Sequence, residues 1–536
     1  MEKPKKIYID DFMSDDDEND SQATNNKIDR KQYEENKSKF DIKKLISNFI
    51  LKKEYFISHK TSSIFNDYDI DKKPVGQGAF GIVYKATEKD TGLVRAIKQV
   101  MNDNIKNYDG FMGEVAALKT LDHPNIIKLY EVYEDKDWVY LVQEYCEGGE
   151  LFDFIAEQEK LDEKEAARIF HQITSSILYC HKNCIWHRDL KPDNFMLSTK
   201  QPNSPVKLID FGLSRSFFKY QDQGTGEMLR METRAGTALY MAPEVLKKDY
   251  SNACDTWSLG VILYIMLSGL LPFEGTTDAE IEESIMKLRY DFDDEVWEGI
   301  SEGVRDLISK MLVYEKDRIT PKEALSHPWV KEMLGKDHGT IHKTMYMEKF
   351  EDFKDSNHLK KAILSFLATK VNDEEIKEEI ELFNSFDTNN DGYITKKELK
   401  KGLLKLKKRT DDEIDAIMES MDTDKNGAIN FNEFISATLN TTISSDYERI
   451  VKAFQFFDLD NDGLIDENEL KNALAGQEFA KIDVTIFTDA IKQWDLDNDG
   501  KISFDEFAKI MSLELDKMAK TKMHESIQMT TEGGDD

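Results

Sequence analysis

Aspartates at positions 387, 422, 458 and 495 each open a twelve-residue segment of one pattern, at steps of 35, 36 and 37 residues. A period of this size marks an array of supersecondary units, so the last third of the chain is committed to a helical repeat. The segments are DTNNDGYITKKE, DTDKNGAINFNE, DLDNDGLIDENE and DLDNDGKISFDE. Oxygen-bearing side chains fill positions 1, 3 and 5: Asp387, Asn389 and Asp391; Asp422, Asp424 and Asn426; Asp458, Asp460 and Asp462; Asp495, Asp497 and Asp499. Glycine stands at position 6 and glutamate at position 12, the latter being Glu398, Glu433, Glu469 and Glu506. Calcium takes about six to eight oxygens, and one short loop provides most of them. Position 7 adds a backbone carbonyl, from Tyr393, Ala428, Leu464 and Lys501. Position 8 is isoleucine in every loop, which predicts a short ladder between paired loops. Four complete matches at an even period exclude a set of acidic surface turns.

This region resembles the EF-hand family, as a calmodulin-like module over residues 371–515 with a tail at 516–536. Loops one and two offer three carboxylates each among positions 1, 3, 5 and 12, and loops three and four offer four. Ligand charge therefore predicts tighter binding in the second pair and a more responsive first pair.

Charge follows the same division. The chain of 536 residues has a net charge of −32, and residues 371–536 carry 20 basic against 39 acidic side chains. Such acidity argues against a nucleic-acid binder. Cys146, Cys180, Cys184 and Cys254 are too few for a disulfide framework and lack zinc spacing. No apolar run is long enough to span a membrane, no signal peptide is visible, and position 2 is not the glycine of a myristoylation site. The expectation is a cytoplasmic protein, with passage into the nucleus left open. Residues 1–67 read as a variable, partly disordered region. Within it, residues 31–60 read as helical, either packed on the following domain, a solvated linker, or a basic amphipathic face for a membrane or partner.

The middle of the chain carries a different chemistry. GQGAFGIV at 76–83 sits between strand-like stretches, which favours a glycine-rich flap between two strands over a dinucleotide fold. Lys98 ends an apolar strand and needs a partner for its charge, which Glu114 can provide. HRDLKPDN at 187–194 supplies a base-like carboxylate (Asp189), a cation for the moving phosphate (Lys191) and a magnesium ligand (Asn194). DFG at 210–212 adds Asp210 as the second magnesium ligand, and APE at 242–244 closes the segment. Asp255 and Arg318 read as buried structural charges.

In this order and spacing the motifs resemble Ser/Thr protein kinases over residues 68–330. Followed by a connector at 331–370 and four EF-hands, they resemble one narrower family, the calcium-dependent protein kinases of plants and protists. The fold implied is an α+β multidomain chain: a two-lobed kinase, a junction helix, and an all-α calmodulin-like domain. The resemblance implies ATP, Mg²⁺ and Ca²⁺ as cofactors and protein substrates as partners. ATP would be bound by Gly76, Gln77, Gly78, Ala79, Phe80, Gly81, Val83, Ala96, Lys98, Glu114, Glu144, Cys146 and Glu150. Glu150 either serves the ribose alone or, with Asp193, receives a basic residue upstream of the acceptor. Three features depart from the common pattern: Trp186 before HRD, a long activation segment, and Gln143 at the gatekeeper position. A phosphate on Thr225 or Thr233 could pair with Arg188; alternatively calcium alone suffices, with Glu232 or its neighbours supplying negative charge.

Lys98, Glu114, Asp189, Asn194 and Asp210 are all present, which argues against a calcium-binding scaffold with an inactive kinase domain. A kinase active without calcium, with purely structural EF-hands, stays open. Residues 340–369 contain Phe350, Phe353, Leu359, Ile363, Phe366 and Leu367, an apolar stripe at helical spacing from 359 onward. It reads as a helix packed between domains or as the segment that a calmodulin-like module grips to relieve autoinhibition.

Overall fold

The structure is a computed structural model. It describes residues 51–78, 81–102, 108–216, 231, 234, 236–335, 343–356, 358–404, 410–439, 446–475, 491–492 and 494–511, and the statements below concern these.

Alternating apolar residues in GIVYKATE and VRAIKQVM pair as two antiparallel strands, Gly81–Glu88 and Val94–Met101. They belong to a six-stranded sheet built from β1 (Ser58–Lys60), β2 (Tyr68–Gly78), these two strands as β3 and β4, β5 (Leu129–Glu134) and β6 (Trp138–Glu144). The order is β1-β5-β6-β4-β3-β2, with β1 parallel to β5. Helix α1 (Tyr108–Thr120) turns Phe111, Val115 and Leu118 inward, at the i, i+4, i+7 spacing of one helical face.

The second lobe is helical. Helix α2 (Glu163–Lys182) starts where the Asp162 carboxylate accepts the Glu165 N–H, and buries Ile169, Phe170, Ile173 and Ile177. Helix α3 (Ala253–Ser268) is apolar on nearly every face because it is buried on nearly every face. It ends at Gly269, whose φ of 72° is left-handed; a Cβ there would lie 2.3 Å from the Glu159 carbonyl oxygen. No helix among the described residues is long and apolar enough to cross a membrane. Trp186, unusual before HRD, is buried in the core and pairs with Arg215 on a short ladder.

Asp255 accepts the backbone N–H groups of His187 and Arg188 at 3.0 and 2.8 Å, and so carries the loop holding the HRD motif. Arg318 donates to both carboxylate oxygens of Glu244 and to the Ala253 and Val313 carbonyls. Both charges are buried and paired, as expected of structural ones.

Beyond residue 342 the helices are α4 (Lys343–Asp355), α5 (His358–Lys370), α6 (Lys377–Phe386), α7 (Lys396–Leu404), α8 (Asp411–Met421), α9 (Phe431–Thr438), α10 (Tyr447–Phe457), α11 (Glu467–Ala475) and α12 (Phe504–Ile510). Ile394 faces Ile429 and Ile465 faces Ile502 across two short antiparallel ladders, so the loops come in pairs. The apolar stripe of α4 and α5 is buried in this helical module: Phe350 lies 5.9 Å from Phe434 and Phe366 lies 4.8 Å from Phe456, ring centre to ring centre.

One expectation is overturned. The segment read as helical to residue 60 instead forms a single 3-10 turn, Lys53–Phe56, and then strand β1; residues 31–50 lie outside the described part. Lysine-rich spacing gave the helical reading, but β1 is fixed by a non-local partner, β5.

Replacing Arg318 with methionine strands Glu244 as a buried unpaired charge. We expect a loss of about 3–5 kcal/mol of stability in this lobe, measured by denaturant unfolding followed through the tryptophans.

Candidate functional site

Strand pairing builds the cleft. Gly76 faces Val83, Gln77 faces Ile82 and Gly78 faces Gly81, so the glycine-rich segment is the tip of a hairpin; Ala79 and Phe80 lie outside the described residues. Val83 pairs with Lys98, and Ala96 with Gln143. Lys98 Nζ donates to Glu114 at 2.9 Å and lies 3.7 Å from Asp210. Burial alone would lower the Lys98 pKa, but Glu114 and then Asp210 outweigh it and the pKa is raised. Burial acts upward on Asp210 as well, yet Lys98 and the Gly212 N–H hold its carboxyl below the ordinary value. The Nε2 of Gln143, which faces Ala96 across the sheet, is buried with no hydrogen-bond partner among the described residues.

Asp189 Oδ1 accepts from the Thr237 N–H at 2.8 Å and the Thr237 hydroxyl at 2.9 Å. Asn194 turns its amide nitrogen to the Asp189 carbonyl at 2.7 Å, which leaves its oxygen as the group suited to a cation. Lys191 acts electrostatically on both Asp210 and Glu150. Arg188 donates to the Leu213 carbonyl at 2.7 Å, while Thr225, Glu232 and Thr233 lie outside the described residues. Burial, then Asp153 and Asp193, hold the Glu150 carboxyl above its ordinary value, which marks an acidic cluster at the cleft's edge. Thr237 and Asp153 were missed in the sequence; only the proximity of Thr237 to APE and of Asp153 to Glu150 hinted at them. The Glu144 carboxylate faces away, 3.1 Å from Lys207, and its N–H bonds the Lys128 carbonyl. Cys146 is buried beside it in sequence.

The loops divide. Asp422, Asp424 and Glu433 bring carboxylate oxygens within 4.8 Å of one another, as do Asp458, Asp460 and Glu469, and Asp495, Asp497 and Glu506. Burial first, and then the nearby Asp422, push the Asp424 carboxyl up to about 6, the crowding that a divalent cation relieves. Asn426 binds Asp424, while Asp462 and Asp499 each hold position 7's N–H, from Leu464 and Lys501. Loop one has Asn389 at position 3 in place of an acid, and burial first, then Asp391 and Glu398, push the Asp387 carboxyl up to about 7. Asp391 pairs with Lys182 of helix α2, and Glu398 accepts from Thr388 and Thr395. Asn389 Oδ1 is buried there without a hydrogen-bond partner, so loop one too holds an unused oxygen that suits calcium. Asp387 is buried, and Tyr393 donates its hydroxyl to Asn183 at 2.9 Å.

A two-lobed fold with this cleft and two paired sets of acidic loops defines a protein kinase joined to EF-hands. The protein kinase domain family matches residues 70–330, and the EF-hand domain pair family matches residues 377–439 and 447–512. The chain is 37% identical to calcium-dependent protein kinase 5 of Plasmodium falciparum over 83% of its own length and 78% of that protein. It is 37% identical to calcium-dependent protein kinase 4 of the same organism, over 88% and 92%. With calcium-dependent protein kinase 19 of rice the identity is 38%, over 82% and 81%. The chain belongs to the calcium-dependent protein kinase family. It is a calcium-activated serine/threonine protein kinase, whose kinase domain implies ATP and Mg²⁺ and whose EF-hands imply Ca²⁺.

Loops three and four should fill at lower free calcium than loops one and two, because they carry more carboxylates and loop one shares Asp391 with Lys182. In loop-by-loop calorimetric titration, Glu398→Gln and Glu433→Gln should weaken the later-filling class, and Glu469→Gln and Glu506→Gln the earlier one.

Proposed function

We propose that Asp189 is the base, Lys98, Lys191, Asn194 and Asp210 organise the transferring phosphate, and calcium decides whether the junction helices α4 and α5 leave the cleft free. The substrate's serine or threonine hydroxyl gives its proton toward Asp189 while its oxygen attacks the γ-phosphorus. The bond to the β–γ bridging oxygen breaks, and ADP leaves. Bound magnesium would neutralise phosphate charge, with Asn194 and Asp210 as its ligands. Thr237 fixes the rotamer of Asp189, and the Glu114 pair fixes Lys98. The acidic cluster of Glu150, Asp153 and Asp193 favours substrates with a basic residue upstream of the acceptor. Four free cysteines and the lack of a membrane-length apolar helix among the described residues fit a cytoplasmic setting.

The observation that carries the regulatory part is a buried charge cluster. Asp373, just past α5, lies 2.5 Å from Lys207 and 3.2 Å from Lys128, on the face of the kinase behind Glu144. Lys128 also donates to the Val371 carbonyl, and Arg95 donates to Asn372 and to the Lys370 carbonyl. In this arrangement the stripe of α4 and α5 lies in the core of the EF-hand module. Occupied EF-hands expose apolar grooves that compete for such a stripe. Without that competition, α4 and α5 return to the kinase and obstruct its cleft.

Asp210→Ala should abolish turnover, and Asp189→Asn should lower kcat by several orders of magnitude with ATP binding retained; a radiolabel transfer assay with calorimetry of ATP binding reads both. Truncation after residue 335 should give activity that no longer depends on calcium, below that of the calcium-saturated full chain, and Phe366→Asp in the full chain should blunt the calcium response. A folded, ATP-binding but inactive truncation would refute simple release and make the module a necessary support.

A further inference from the structure

The residues just before the matched kinase domain belong to neither module in sequence, yet they tie the two together. The Leu51 N–H donates to the Thr423 carbonyl of the second calcium loop at 3.0 Å. Phe56 is fully buried in the EF-hand core, 6.3 Å from Phe366 and 5.8 Å from Phe456 between ring centres. The next residue, Ile57, is buried in the kinase core, and β1 then joins the kinase sheet beside β5. A few residues thus pass from one hydrophobic core into the other.

Between those anchors Lys53 reaches the end of helix α1. Its Nζ donates to the Leu121 carbonyl at 2.5 Å and lies 3.1 Å from Asp122. A cation at a helix C-terminus satisfies free carbonyls and the helix dipole. Asp122 is a junction: one carboxylate oxygen faces Lys53, the other accepts the Asn432 N–H of EF-hand helix α9, and its own N–H donates to the Tyr179 hydroxyl. Helix α1 carries Glu114, whose bond to Lys98 depends on where that helix lies. Kinase chemistry requires this pair in place.

We propose that residues 51–60 form a strap by which the docked EF-hand module holds helix α1, with Lys53, Phe56 and Asp122 as positioning residues for the Lys98–Glu114 pair. If the module departs, Asp122 loses its Asn432 partner, Phe56 loses its aromatic neighbours, and the end of α1 is released. Calcium then acts on catalysis twice: by where it places the junction helices, and by whether the strap is seated. This inference rests on the docking described under the proposed function.

The test uses the full chain at saturating calcium. Phe56→Ala and Lys53→Met should each lower kcat about tenfold or more, with the KM for a peptide substrate little changed. Calcium stoichiometry should be kept, and hydrogen exchange in residues 111–121 should rise. Phe56→Leu and Lys53→Arg should restore most of kcat and of the protection. Asp122→Asn disturbs the same junction without touching either core, and should repeat the pattern if Phe56→Ala misfolds. Wild-type kcat and unchanged exchange in Lys53→Met and Asp122→Asn would overturn the strap. Failure of the release reading appears elsewhere, as a truncation after residue 335 with no activity at all or as calcium-independent activity of the wild-type chain, whereas the strap expects that truncation to work without calcium at about a tenth of the full chain's kcat, so the two failures are distinguishable.

Discussion

Two lysines buried behind Glu144 govern how this chain is put together. Lys128 and Lys207 are both shielded from water, and among the described kinase residues Glu144 is the carboxylate that ion-pairs here, 3.1 Å from Lys207. Asp373 supplies the second from the linker between the junction helices and the first EF-hand. Burial would lower the Lys207 pKa, but Asp373 and Glu144 raise it; Lys207 and Lys128 in turn hold Asp373 down. A buried charge left without its partner costs about 3–5 kcal/mol. The EF-hand module therefore completes the electrostatics of the kinase, and its seat is specified by charge count as much as by apolar fit.

Other contacts fall on the same side of the molecule. Loop one lies on helix α2, where Ser175 donates to the Asn390 carbonyl and Gly392 faces Tyr179 so closely that a Cβ would come within 2.4 Å of that ring. Lys452 of the third EF-hand pairs with Glu88 of β3, and Lys370 donates to the Tyr130 carbonyl. These partners come from helix α2 and the N-terminal sheet, not from the loop carrying Asp189. A module seated there leaves the phosphate-transfer groups accessible while bearing on the elements that position them.

The cleft itself was legible in the chain. Lys98, Glu114, Asp189, Asn194 and Asp210 sit in motifs whose spacing is tied to strand pairing and tight turns, and the structure brings Lys98, Glu114 and Asp210 together. The calcium loops were legible for the same reason: each encodes its ligands within twelve consecutive residues. Loop one shows where local reading stops. Its pattern is complete, but a lysine from helix α2, more than two hundred residues away in sequence, engages Asp391.

Local patterns along the chain specify the two modules, their chemistry, the pairing of the loops through position 8, and the apolar stripe of the junction. Each depends on a local pattern: a turn that needs glycine, a helical period, or an oxygen set on one loop. It takes the packed fold to make residues 53–60 a turn and a strand, to join three elements at Asp122, and to set Asp373 against Lys128 and Lys207. Those outcomes depend on which distant groups share a buried, weakly screened space, where an unpaired charge is costly. No spacing along the chain records that.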